Sequence, residues 1–159
     1  MMVIKNREGL MPSLFSFIDN MLTYYCPNCW KRIPDGQKTC PFCGFVLEEF
    51  KLQTYEKKLI LALHHPLPER RNIAAQILGN INSTRALEEF EAILKSGETN
   101  YFFLKVVLLA IAKIDSPKRI ELLKIATTNQ NTMIQELATT LIEMVKENRP
   151  IPEWDRGTG

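Results

Sequence analysis

Arg71-Asn72-Ile73-Ala74-Ala75-Gln76-Ile77-Leu78-Gly79-Asn80-Ile81 is the stretch on which the fold turns. Its apolar residues return every three or four positions, the spacing that lays one apolar stripe along a helix. Displaced by 33 residues the pattern recurs: Ala75 falls on Leu108 and Leu141, Leu78 on Ile111 and Met144, and Arg71 on Leu104 and Leu137. The register survives the polar breaks, since Ile81 meets Ile114, Ser83 meets Ser116, Leu87 meets Ile120, Phe90 meets Leu123 and Thr99 meets Thr132. A fixed period of this kind signals stacked supersecondary units, each burying its apolar face only against its neighbours.

The spacing predicts helices near 53–65, 68–81, 84–95, 100–114, 117–128 and 132–147, with no strand pattern from Gln53 onward. Ser83 and Ser116 are placed to cap helices, Pro117 suits a first helical position, and Thr132 with Gln135 spells a capping box. Gly97 suits a helix stop. Tyr101 to Ile114 carries only Lys105 and Lys113 as charges, so this helix is expected to be enclosed on several sides as the core of the array.

The ankyrin signature is absent, and Leu78-Gly79 is read as ending a helix, where a tetratricopeptide repeat would place it mid-helix. Arg71 to Ile81, followed by Ala86-Leu87 and a second helix, resembles the short HEAT-like repeats of the phycobilin-lyase type over about residues 55–147. The second unit departs from that pattern with Leu104 in place of the Arg and Ala112 in place of the Gly. The resemblance implies a mainly α chain, a short α-solenoid of HEAT-like helical hairpins. It implies no bilin chemistry, because a fold hosts many functions.

All four cysteines fall together: Cys26-Pro27-Asn28-Cys29, ten residues, then Cys40-Pro41-Phe42-Cys43-Gly44. Two residues between paired cysteines let both thiolates of a tight turn face one ion at about 2.3 Å, and two such turns complete a tetrahedron. Gly44 suits the left-handed backbone that often follows such a turn, and Trp30 holds the equivalent place in the first pair. It is expected either to strain that turn or to cover the metal and pack against the following domain. The stretch Cys26 to Gly44, with Pro34 and Gly36 between the knuckles, resembles the short zinc ribbons of prokaryotic proteins, Trp30 being the departure where glycine is usual.

Rival chemistries fit less well. A thioredoxin-like dithiol needs a βαβ setting. Rubredoxin-like iron sites separate their knuckles by a longer stretch, disulfides belong to secreted chains, and catalytic zinc keeps a coordination place open. The cysteines are therefore read as ligands of a structural Zn2+, which should supply most of the ribbon's folding energy, on the order of 10 kcal/mol.

The 159 residues are about one domain or two small ones, too few for an α/β barrel or a two-domain dehydrogenase. With 45% hydrophobic and 24% charged residues, wholesale disorder and collagen-like repetition are excluded. Lys and Arg number 20 against 18 Asp and Glu, a net +2 that names no partner. Leu10 to Leu22 is broken by Pro12, Ser13, Ser16, Asp19 and Asn20, which a bilayer span would not tolerate, and it lacks the pattern of a secretory signal. The expectation is a cytoplasmic protein without a membrane partner. Its domains read as a weakly ordered extension over 1–23, with Met21 as an alternative start; a zinc ribbon over 24–47; a junction over Val46 to Phe50; HEAT-like repeats over 53–147; and an extended tail over 148–159.

Those devices serve binding more often than catalysis. The function expected is a non-enzymatic protein-protein interaction adaptor, with Arg85, Glu88, Lys118 and Glu121 as a mixed-charge partner surface on the second helices of two units. A nucleic-acid-binding accessory role is the alternative, through Lys31, Arg32 and Lys38 with Trp30 and Phe42 as stacking rings. A lyase-type enzyme is a further alternative, set aside because His64 and His65, ahead of Pro66, read as solvent-exposed caps and no nucleophile motif accompanies them. Ribbon aromatics, Trp30, Phe42 or Phe45, are expected to cover the first repeat, and Trp154 to pack on the last helix.

Overall fold

The computed structural model describes residues 24–153, so the expectations for residues 1–23 and for Trp154 lie outside the described residues. The chain divides into two compact units, Met1–Lys51 and Leu52–Gly159. In the first, β1 (Tyr24–Tyr25) and β2 (Arg32–Ile33) pair antiparallel, with Tyr24 opposite Ile33 and Tyr25 opposite Arg32. A single bridge, Thr39 to Val46, flanks the second cysteine pair in the same way. The expected junction at Val46 to Phe50 is instead a helical turn, α1 (Leu47–Leu52). Leu47 anchors it by packing into the ribbon's small core with Ile33, Cys26 and Cys40.

The second unit is all helix: α2 (Tyr55–Ala62), α3 (Pro68–Asn80), α4 (Ala86–Lys95), α5 (Tyr101–Lys113), α6 (Arg119–Ala126) and α7 (Thr132–Lys146). The long helices form one layer, in which α3 packs on α5 and α5 on α7; α4 packs on α6 in a second layer of short helices, and α2 packs on α3. This is the mainly α solenoid that the 33-residue period implies. The period is visible in space, because Lys113 Nζ donates to Asn80 Oδ1 at 3.0 Å and the Asp115 N–H to Asn82 Oδ1 at 2.7 Å, each bond joining positions 33 apart.

The core of this unit runs from Leu59 to Val145 without a break. From Phe103 to Ala112 every residue of α5 is buried except Lys105, which is half-buried, so the central helix is enclosed as its composition requires. On α7 the pattern is one-sided: Ile134, Ala138, Leu141 and Ile142 face inward, whereas Glu136, Thr139, Thr140 and Glu143 are exposed. A polar outer face is what an end repeat needs.

Two local expectations change, at the α7 cap and at His65. Gly79 falls in the last turn of α3, one residue before its end at Asn80, and there a Cβ would stand 2.8 Å from Ala110 Cα; its lack of a side chain lets α3 and α5 touch backbone to backbone. The cap of α7 is Asn131, whose Oδ1 accepts the Met133 N–H at 2.9 Å, while Gln135 reaches back to the Asn129 carbonyl, so no Thr132–Gln135 box forms. Ser83 does accept from the Ala86 N–H, at 3.3 Å, and also donates to Glu56 at 2.6 Å across the hairpin. His65 is buried rather than solvent-exposed, because the α2–α3 turn folds its ring inward over Arg70. At Gly97, φ is +78°, the left-handed stop that closes α4.

After α7, the Arg149 N–H bonds to the Met144 carbonyl at 2.9 Å and Asn148 takes a φ of 52°. Ile151 then packs on the core and Glu153 pairs with Lys113 at 3.0 Å, so the described part of the tail lies against the stack.

Candidate metal centre and helical surface

Both cysteine pairs are built on one plan. In the first, the Cys26 N–H bonds to the Lys31 carbonyl at 3.0 Å and the Trp30 N–H to the Cys26 carbonyl at 2.8 Å. In the second, Cys40 bonds to Phe45 at 2.9 Å and Gly44 to Cys40 at 3.0 Å. Closing the turn this tightly forces the residue after the second cysteine to a positive φ, +75° at Gly44 and 57° at Trp30. Gly44 takes this at no steric cost, whereas Trp30 bears about 1 kcal/mol of strain. Strain is thus the expectation for Trp30 that the backbone bears out.

The four sulfurs lie within 4.8 Å of one another. Cys26 Sγ is 3.6 Å from Cys43 Sγ, and Cys29 Sγ is 3.7 Å from Cys40 Sγ. A tetrahedral ion with metal–sulfur bonds of 2.3 Å needs sulfurs about 3.8 Å apart, so the donor set fits zinc. The surroundings of the sulfurs are uneven. Burial pushes the Cys26 thiol up to about 12, while the Phe45 N–H, then the Asn28 side chain, pull Cys43 down to about 6. Asn28 serves both, its N–H reaching Cys26 Sγ at 3.4 Å and its Nδ2 reaching Cys43 Sγ at 3.6 Å. A divalent cation removes this disparity by making every thiolate stable at once.

On the ribbon surface, Phe42 is 57% exposed and Lys31 Nζ sits 5.1 Å from its ring centroid. Lys38 pairs with Glu48 at 3.5 Å, and Arg32 is exposed on β2. Phe45 turns inward and meets Phe50 edge-on at 6.1 Å.

Of the four surface positions singled out on the helices, Arg85 and Lys118 each stand immediately before a helix, and Glu88 and Glu121 are each the third residue of one. All four are exposed. Arg85 is engaged by Glu56 at 3.4 Å, and Lys118 lies close enough to Glu91 to lower that carboxyl's pKa, behind the larger effect of Lys95.

The polar feature that sequence reasoning passed over lies nearby. Arg71 donates Nε to the Leu63 carbonyl at 3.1 Å, pairs with Glu98, and stacks 3.8 Å over the Phe103 ring. Burial raises the Glu98 carboxyl, but the Arg71 bond and the Asn100 and Thr99 N–H groups outweigh it and hold the group below its usual range. One guanidinium thereby ties α2, α3, the α4–α5 turn and α5 together. The clue was in the sequence: an Arg in a column otherwise filled by Leu104 and Leu137 requires a carboxylate within reach.

Fold and site define a helical-repeat protein carrying a zinc ribbon. Comparison with known proteins agrees: residues 25–47 match the zinc-ribbon domain family and residues 56–143 match HEAT repeats, and the chain belongs to the HEAT-repeat family. The cofactor is Zn2+. A relative from Haemophilus influenzae (strain ATCC 51907 / DSM 11121 / KW20 / Rd), named "Uncharacterized protein", is 32% identical over 54 residues, which is 33% of this chain and 71% of that protein. No solved structure matches the chain. Among the described residues no helix is long and apolar enough to cross a membrane.

Proposed function

We propose that the protein is a non-enzymatic adaptor of the cytoplasm, in which a structural zinc ribbon over residues 24–47 accompanies a HEAT-like stack over 53–147 that binds another protein, with 148–159 as tail. Cys26, Cys29, Cys40 and Cys43 hold the zinc. Four thiolates fill every place of a tetrahedron, so the ion keeps no position for water or substrate and its role is to fold the ribbon.

The observation that carries the binding role is the repetition on the short-helix layer. Lys118 and the pair Glu88 and Glu121 recur at equivalent positions of successive repeats, exposed, over a core that is already closed beneath them. Arg85 completes the series while held by Glu56. A peptide or protein segment carrying both signs of charge complements such a row, and the interaction should weaken with salt. A second reading, nucleic-acid binding through the ribbon, draws on the Lys31–Phe42 pair, a cation and an exposed ring side by side.

Affinity capture from native lysate, with and without nuclease, tests both. The adaptor reading expects a captured protein that survives nuclease and is lost from the double variant Glu88→Lys, Glu121→Lys while zinc content and helicity persist. Capture that ignores the charge reversal rules out this surface. Capture abolished by nuclease shifts the assignment to nucleic acid.

A further inference from the structure

We propose that His65 is an acid-sensitive latch that keeps the α2–α3 hairpin closed. The ring lies in the turn after α2 and is 6% exposed, with Ser83 the other polar side chain buried among the described residues. Its Nδ1 accepts the Leu67 N–H at 3.0 Å. A ring nitrogen that accepts carries no proton, so the neutral imidazole holds its proton on Nε2. That nitrogen stands 3.4 Å from Arg70 Nη1, where a donor faces a donor.

A second proton would turn Nδ1 into a donor against the Leu67 N–H and set a cation beside a guanidinium where little water reaches. Burial first, and Arg70 second, accordingly hold the ring below the usual imidazole value. Among the described residues, charged groups near the turn stand at three places. Arg70 and Arg71 stand on α3; Glu89 of α4 is bonded to His64 at 2.7 Å; and Glu98, in the α4–α5 turn, is bonded to Arg71. Each of these carboxylates is thus bonded to another side chain.

The sign follows from linkage. With the folded value depressed, the open turn binds a proton that the closed turn refuses, so the latch is at full strength above about pH 6.5 and weakens as pH falls through the folded value. Glu98, held below the ordinary carboxylate range, keeps Arg71 fastened to it through the same interval. Acid therefore opens the α2–α3 turn before it loosens the rest of the stack.

The test compares the full-length wild-type protein with His65→Asn, whose Oδ1 can take the Leu67 N–H as an Asx turn does and does not titrate. After correction for intrinsic exchange, the Leu67 amide should exchange faster relative to buried Val107 on going from about pH 7.5 to about pH 5, about tenfold for each unit of depression. The variant should show no such change. An NMR titration of the wild-type ring should place its midpoint below the ordinary value. Equal acceleration in both proteins, or a ring that titrates at or above the ordinary value, overturns the latch; the ring titration decides the matter if the variant does not fold.

Discussion

Among the described residues of the ribbon, Ile33 and Leu47 are buried beside Cys26 and Cys40, and little else is. In the helical unit the buried cluster spans Leu59 to Val145 and includes nearly all of α5. At about 25 cal/mol per Å2 of apolar surface, the few buried groups of the ribbon cannot offset the entropy of ordering its two turns, whereas the stack can order itself by burial alone. The lesson is that one chain uses two independent sources of order: an ion's coordination energy at one place, and helix-on-helix packing at the other. A change aimed at one source should leave the other in place.

Chelation is the most severe way to test that separation. Stripping zinc removes on the order of 10 kcal/mol from the ribbon. NMR signals of residues 25–47 should collapse to unfolded positions while the helical circular dichroism and the main melting transition persist; a parallel loss of helix would show the two sources to be one. Gly79→Val attacks the opposite side. A side chain 2.8 Å from the Ala110 backbone forces α3 and α5 apart, with a cost of about 3 kcal/mol in the stack. The melting transition should fall steeply with zinc content unchanged.

Next in size is Glu98→Gln, which leaves the Arg71 charge without its carboxylate at side-chain exposures of 23% and 19%. The loss should be about 2 kcal/mol, less than for a fully buried pair. It also has a pH signature. Because the folded carboxyl is depressed, the wild-type advantage is complete above the ordinary carboxylate value and disappears as pH falls through the depressed one, so the two denaturation midpoints should converge in acid. Smallest is Trp30→Gly, which relieves the positive φ of 57° and should strengthen the ribbon by about 1 kcal/mol. Slower zinc release to a competing chelator is the expected readout, and faster release would mean that the indole contributes more than its backbone costs.

Much of this is legible in the sequence. The period of 33 is borne out where Asn80 meets Lys113 and Asn82 meets Asp115, because a repeat in sequence becomes a translation in space. Zinc was legible because two short loops at the right separation can do little else with four thiols. What stayed hidden depends on distance across the fold rather than on spacing along it. Gly79 reads as the end of a helix, which it nearly is, but the Ala110 backbone pressing against it is not in the local pattern. His65 reads as exposed until the turn that buries it is drawn, and Glu98 reads as loop charge until Arg71 reaches it over 27 residues. The cap of α7 moved by one residue because Asn131 and Thr132 are both good caps and local pattern does not choose between them.

The bonds from Lys113 to Asn80 and from Asp115 to Asn82 lie on one margin of the stack, where the α3–α4 and α5–α6 turns adjoin. Spreading this margin must break both, at about 2 kcal/mol in total, and closing it presses atoms already at hydrogen-bond distance into repulsion. The two bonds thus act as a spacer that sets how far apart these neighbouring turns stand.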